Sequence, residues 1–116
     1  MSKIQHVTTA EFESTVLQSP VPVLVDFYAS WCMPCKLLAP VLDKLSEEFQ
    51  GRVKVLKVDV EAEMALAQAY RINAVPTLKV FDGGRVRGTI EGLVPPDSLR
   101  DELESLAPAP AETPGV

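Results

Sequence analysis

The sequence predicts an α/β domain in the order β-α-β-α-β-α-β-β-α, a central mixed sheet with helices on both of its faces. Three observations lead there. Residues 21–28 read Val-Pro-Val-Leu-Val-Asp-Phe-Tyr, apolar on both alternating faces except at Asp26, as in strands covered on both sides. Helical stripes and short apolar runs alternate along the chain, which implies parallel pairing through crossover helices. Asp82-Gly83-Gly84 between two apolar runs is a hairpin turn signal, and it adds an antiparallel edge. Size agrees with one domain: 116 residues, 47% of them apolar, supply about 55 side chains, enough for one core and too few for two.

Each element follows from a local pattern. Ile4 and Val7 bound a short first strand over 4–7. Thr8 and Glu11 stand at capping-box spacing and Phe12 and Val16 lie four apart, so a helix is expected over 10–18, ended by Pro20 and Pro22. The buried strand 21–28 comes next. Leu38, Leu42, Leu45 and Phe49 step by four, three and four, which predicts a long helix over 34–50 with Gly51 at its C-terminal cap. Pro40 falls inside that stripe and costs about 3 kcal/mol there. Because the stripe stays in phase past it, one kinked helix is expected and not two. A strand over 53–60 precedes a short helix over 63–70, marked by Met64, Ala67 and Tyr70. Strands 77–81 and 85–91 flank the hairpin turn. Leu99, Leu103 and Leu106 mark a last helix with Pro96 in its first turn. The domain is thus expected to span 1–106, with 107–116, Pro- and Ala-rich and without apolar periodicity, as a disordered tail.

Composition narrows the function. Eleven Lys and Arg against 16 Asp and Glu leave a net charge of −5, which argues against nucleic acid or an anionic membrane as partner. No apolar run approaches the ~20 residues of a membrane helix. The first 13 residues hold no cationic segment followed by an apolar one, so no export signal is expected and the cytoplasm is the predicted location. His6 reads as a surface histidine, Gly83-Gly84 as a turn and not a phosphate loop, and Glu47-Glu48 as a solvated helix face.

The cysteines carry the chemistry. Cys32 and Cys35 are the only two, so no disulfide framework staples the fold. A single Cys-x-x-Cys pair is either a redox couple or half of a metal site. Structural zinc takes four protein ligands, and His6 is the only other strong candidate, outside any ligand-spaced motif. The dithiol reading leads, with a metal shared between two chains as the alternative. Cys32 falls between the buried strand and the long helix, the edge at which open α/β sheets handle ligands. Unpaired N–H groups and partial positive charge at that helix end favour a thiolate at Cys32.

Three more residues stand out. Asp26, inside the apolar strand, meets a desolvation cost that raises its pKa and keeps a proton available near neutrality; a solvated edge-strand Asp is the plainer reading. Trp31 beside Cys32 suits a partly exposed docking surface more than a core filler. Pro76 cannot donate to a strand ladder.

Trp31-Cys32-Met33-Pro34-Cys35-Lys36, after Asp26-Phe27-Tyr28-Ala29, resembles the thioredoxin family. Val75-Pro76-Thr77, Gly83-Gly84, Gly92 and Pro40 match as well, so the resemblance covers about residues 3–106. This family is itself a standard example of an acidified Cys-x-x-Cys thiol. The resemblance implies the thioredoxin fold and a protein-disulfide reductase. In it Cys32, the exposed first cysteine of the turn, is the attacking nucleophile, Cys35, one helical step further in, the resolving thiol, Asp26 the proton acceptor for Cys35, and Lys57 a modulator close to that carboxylate. Trp31, Met33, Pro34, Ala74, Val75, Pro76, Gly92 and Leu93 would form the substrate surface, with Val75-Pro76 cis and the Val75 backbone pairing to an extended segment. The implied partners are disulfide-bearing client proteins and an NADPH-dependent thioredoxin reductase. The implied protein is a monomer with no bound cofactor or metal.

Met33 stands where the family usually has glycine, and Tyr28 where many members have a second tryptophan. Two further readings stay open: an oxidant or isomerase on the same fold, which needs an oxidising compartment, and a non-catalytic clamp that uses the same surface.

Overall fold

The computed structural model describes residues 4–108. Its elements are β1 (Gln5–His6), α1 (Thr9–Phe12), β2 (Val23–Tyr28), α2 (Met33–Glu48), β3 (Lys54–Asp59), α3 (Met64–Ala69), β4 (Thr77–Asp82), β5 (Arg85–Glu91) and α4 (Pro96–Leu106). The expected order therefore holds. Most strands and helices start or stop within two residues of expectation. The first helix differs in kind: α1 runs directly into a wider π-helical segment, Glu13–Leu17, closed by the Gln18 N–H donating to the Glu13 carbonyl at 3.0 Å. The capping box at Thr8 and Glu11 is formed in both directions.

The five strands form one sheet in the order β1-β3-β2-β4-β5. β1, β3 and β2 are parallel, whereas β4 runs antiparallel to β2 and β5 antiparallel to β4. The sheet is mixed, as expected, and its antiparallel part comprises both strands of the hairpin. The connection over 60–76, which holds the six-residue α3, stays at the end of the sheet where β3 leaves it, and β4 re-enters there. Thr77, the first residue of β4, accordingly pairs with Phe27 near the end of β2. That reversal brings 75–77 to the same sheet end as the cysteines.

Strand alternation sorts the core into two layers. On β2, Val23, Val25 and Phe27 join Phe12, Val16, Leu66 and Phe81 on the face covered by α1 and α3. Leu24 faces the other way, toward Leu38, Leu42, Leu45, Leu99 and Leu103 of α2 and α4. By the same alternation Asp26 and Tyr28 face α2. α2 is continuous through Pro40, which stays on the exposed side while Cys35, Leu38, Leu42 and Leu45 are buried at steps of three, four and three. Gly51 is left-handed, φ 83°, two residues past the Phe49 cap. Of the expected tail, Ala107 packs against the core and the Pro108 carbonyl accepts from Arg52 Nε at 3.1 Å, while 109–116 lie outside the described residues.

In the hairpin turn, Gly83 and Gly84 have φ of 61° and 80°, the two left-handed positions of a two-residue turn. A Cβ at Gly84 would lie 3.2 Å from the Leu17 carbonyl oxygen, whereas one at Gly83 meets nothing within 4 Å. Gly84→Ala should therefore lower stability in urea by about 2 kcal/mol and Gly83→Ala by about 1 kcal/mol. Equal losses would show that the contact with the π-helical segment carries no energy.

Candidate active site

Cys32 is the N-cap of α2, in extended conformation at φ −85° and ψ 113°. Its sulfur accepts the Cys35 backbone N–H at 3.2 Å, one of the N–H groups that a helix start leaves without a partner. Pro34, in the first turn, has no N–H to leave unsatisfied. Cys32 and Cys35 are joined by a disulfide, with their Cα atoms 5.3 Å apart. Cys35 is also the first member of the buried stripe of α2, so its side chain turns toward the sheet and Asp26.

Cys32 was expected to be the exposed thiol, and here the structure differs. Cys32 is 3% exposed and Cys35 5%. With its sulfur bonded to Cys35 and capping the helix, the Cys32 side chain lies along the helix mouth among Ala29, Tyr28, Val60 and Val75. Trp31 takes the outward direction instead, at 67% exposure, beside Met33 at 60%. Trp31 is thus on the surface and not a core filler.

Asp26 is 1% exposed, and its Oδ1 has no hydrogen-bond partner among the described residues. Burial pushes its carboxyl up to about 7, against the pull of the Lys57 ammonium. Lys57 is its register partner on β3. A cavity of about 140 Å³ connects this carboxyl to the disulfide, lined by Asp26, Tyr28, Ala29, Ser30, Cys35, Lys36, Ala39 and Lys57. It has room for a few water molecules, each occupying about 30 Å³. The plainer reading of Asp26 as a solvated edge residue is excluded, because β2 is the central strand. Ser30, Lys36 and Ala39 were not anticipated. Lys36 and Ala39 lie one and four residues beyond Cys35, a helical spacing that points to them.

The Val75-Pro76 peptide bond is cis, and Val75 packs against the cysteine cluster. Pro76 is buried and its carbonyl accepts the Gly92 N–H at 2.9 Å, which ties the two loops together; Gly92 is left-handed at φ 79°. Ala74, Pro34 and Leu93 are exposed around this end of the sheet. Leu37 was missed: it is exposed four residues beyond Met33, one turn along α2. His6 is exposed as expected, yet its Nδ1 is hydrogen-bonded to the Tyr28 hydroxyl at 3.1 Å. Glu48 is paired with Arg100 at 2.8 Å and is not simply a solvated charge. No group of three or more His, Cys, Asp or Glu among the described residues could hold a metal ion.

Two sulfurs within bonding reach, one capping a helix and the other beside a buried carboxyl, can store and release two electrons as a disulfide. Known proteins agree. The family model "Thioredoxin" matches residues 3–105. Thioredoxin 1 of Nostoc sp. is 42% identical over 104 residues, covering 90% of this chain and 97% of that protein. The thioredoxin of Haemophilus influenzae is 42% identical over 99 residues, covering 85% and 92%. The chloroplastic M-type thioredoxin of Spinacia oleracea is 39% identical over 104 residues, covering 90% of this chain and 58% of its own length. The Cys32–Cys35 pair is therefore a redox-active disulfide, and the chain is an oxidoreductase of the thioredoxin family.

Proposed function

We propose that this chain reduces disulfides in client proteins as a cytoplasmic monomer, recharged by an NADPH-dependent thioredoxin reductase, with Cys32 attacking and Cys35 resolving. The observation that carries the division of roles is the Cys32 sulfur at the N-cap of α2, accepting the Cys35 N–H. Donors at that position stabilise a sulfur that bears negative charge. The Cys32 thiolate attacks one sulfur of a client disulfide, forms a mixed disulfide and expels the other client sulfur as thiolate. Cys35 then gives up its proton, attacks Cys32 and expels the second client sulfur. Two electrons pass to the client, and the pair is left as the Cys32–Cys35 disulfide.

Asp26 is the proton acceptor in this reading. A carboxyl whose pKa lies near 7 is about half ionised at neutral pH, so it can take the Cys35 proton and give it back. The shared cavity offers the path, and Lys57 sets how readily the carboxylate forms. Trp31, Met33 and Leu93 supply exposed apolar area for an extended client segment, with Pro34, Ala74 and Gly92 around them. The Val75 backbone, beside Pro76, would pair with that segment. A cytoplasmic setting suits a dithiol donor, because thiols are kept reduced there. No helix among the described residues is long and apolar enough to cross a membrane.

Two experiments test this reading. With insulin as client, Cys35→Ser should accumulate a mixed disulfide on Cys32, visible by non-reducing electrophoresis and mass spectrometry, and Cys32→Ser should trap none. Equal trapping by both would end the assignment of roles. The second follows from burial. Below pH 3.8 the Asp26 carboxyl is protonated folded and unfolded alike; above about 7 it is ionised in both, and the folded state bears the desolvation cost. The stability attributable to Asp26 thus falls as pH rises through that window, by up to about 4 kcal/mol. In urea, Asp26→Asn should match the wild type at pH 4 and exceed it by about 2–4 kcal/mol at pH 8. A gain independent of pH would show that the carboxyl keeps its ordinary value.

A further inference from the structure

His6, Lys57 and Asp26 form one cross-strand row, since His6 pairs with Lys57 and Lys57 with Asp26 in parallel register. Register partners in parallel strands point to the same side, so all three face α2. Tyr28, two residues past Asp26, shares that face. Its ring lies 4.8 Å below the Lys57 Nζ. Its hydroxyl is hydrogen-bonded to His6 Nδ1 at 3.1 Å, and the two rings meet edge to face with centroids 5.5 Å apart. Tyr28 is thus fixed at both ends, by β2 and by His6, with its π-face presented to the ammonium.

We propose that Tyr28 is a positioning residue: braced by His6, its ring holds the Lys57 ammonium on the Asp26 side of the sheet. Lysine is a compact charge on a flexible four-carbon stem, and it is only partly buried here. Without the ring, the ammonium extends into solvent and its attraction for Asp26 weakens. A cation over an aromatic face is held without being neutralised. An acidic partner would quench the very charge that acts on Asp26. The other charged or titratable groups at this place are Cys35 and Lys36 from α2 and Asp59 from β3, the register partner of Tyr28. The inference rests on the proposed role of Asp26 for its consequence in exchange, but its physical content stands apart from that role.

The test is the titration of the Asp26 side-chain carboxyl carbon by NMR in the oxidised protein, a readout that does not require Asp26 to act on Cys35. Tyr28→Leu should raise the Asp26 midpoint by about 0.5–1 pH unit, a three- to tenfold change in proton affinity. Tyr28→Phe loses the hydroxyl bond but keeps the ring and its edge-to-face contact with His6, and should stay within about 0.3 pH unit of wild type. In a Lys57→Gln background Tyr28→Leu should move the midpoint no further. A midpoint that falls with Tyr28→Leu would mean that the ring acts by shielding, and a shift that persists without Lys57 would mean that it acts directly; either overturns the proposal. Should Tyr28→Leu fail to fold, the wild type decides: Lys57 ε-methylene protons displaced upfield by the ring support it, and protons at ordinary positions overturn it.

Discussion

The mouth of α2 is the constraint on which this molecule is organised. A helix start leaves N–H groups without partners, and a sulfur acceptor at the N-cap satisfies one of them while being favoured in its charged form. Everything around that point fixes the direction in which the helix aims. The stripe Cys35, Leu38, Leu42 and Leu45 locks α2 onto the sheet and sets Cys35 inward. The short α3 returns the chain to the same end of the sheet, so Val75 and Pro76 close over the cysteines.

Asp26 shows the other side of the same arrangement. A carboxyl on the central strand, with an oxygen lacking any hydrogen-bond partner among the described residues, destabilises the fold at neutral pH. A core leucine in its place would pack better. The proposed mechanism gives that cost a use, because Asp26 shares a cavity with Cys35 and a group that titrates near neutrality can move a proton. Strained or costly features commonly gather at sites of chemistry, and this one is set between two well-packed apolar layers that offset its cost.

Much of this was legible in the sequence, and the exceptions have physical reasons. The leucines of α2 announce a helix because their spacing matches its period; the Gly83-Gly84 pair announces a turn because few residues tolerate positive φ twice. Asp26 stood out as the one polar residue in an apolar run, and the Cys-x-x-Cys pair by its lack of other ligands. The direction of β4 was not legible, because the 60–76 connection is long enough for either direction and its path shows only in the folded chain. Burial of Cys32 was missed because it follows from the disulfide and from Val75, which lies far along the chain. The contact of Tyr28 with Lys57 and His6 needs the register of three strands at once. The π-helical segment after Phe12 has no signature we can name in its five residues.

If the helix mouth sets the two neighbouring thiols apart, one of them should be the reactive one. Alkylation of the reduced protein by iodoacetamide across pH 5–10, with each site quantified by mass spectrometry, tests it most directly. Cys32 should react with a midpoint below the ordinary thiol value of about 8.5, and Cys35 should lag at every pH. Equal rates at the two sulfurs, both following an ordinary thiol, would contradict it.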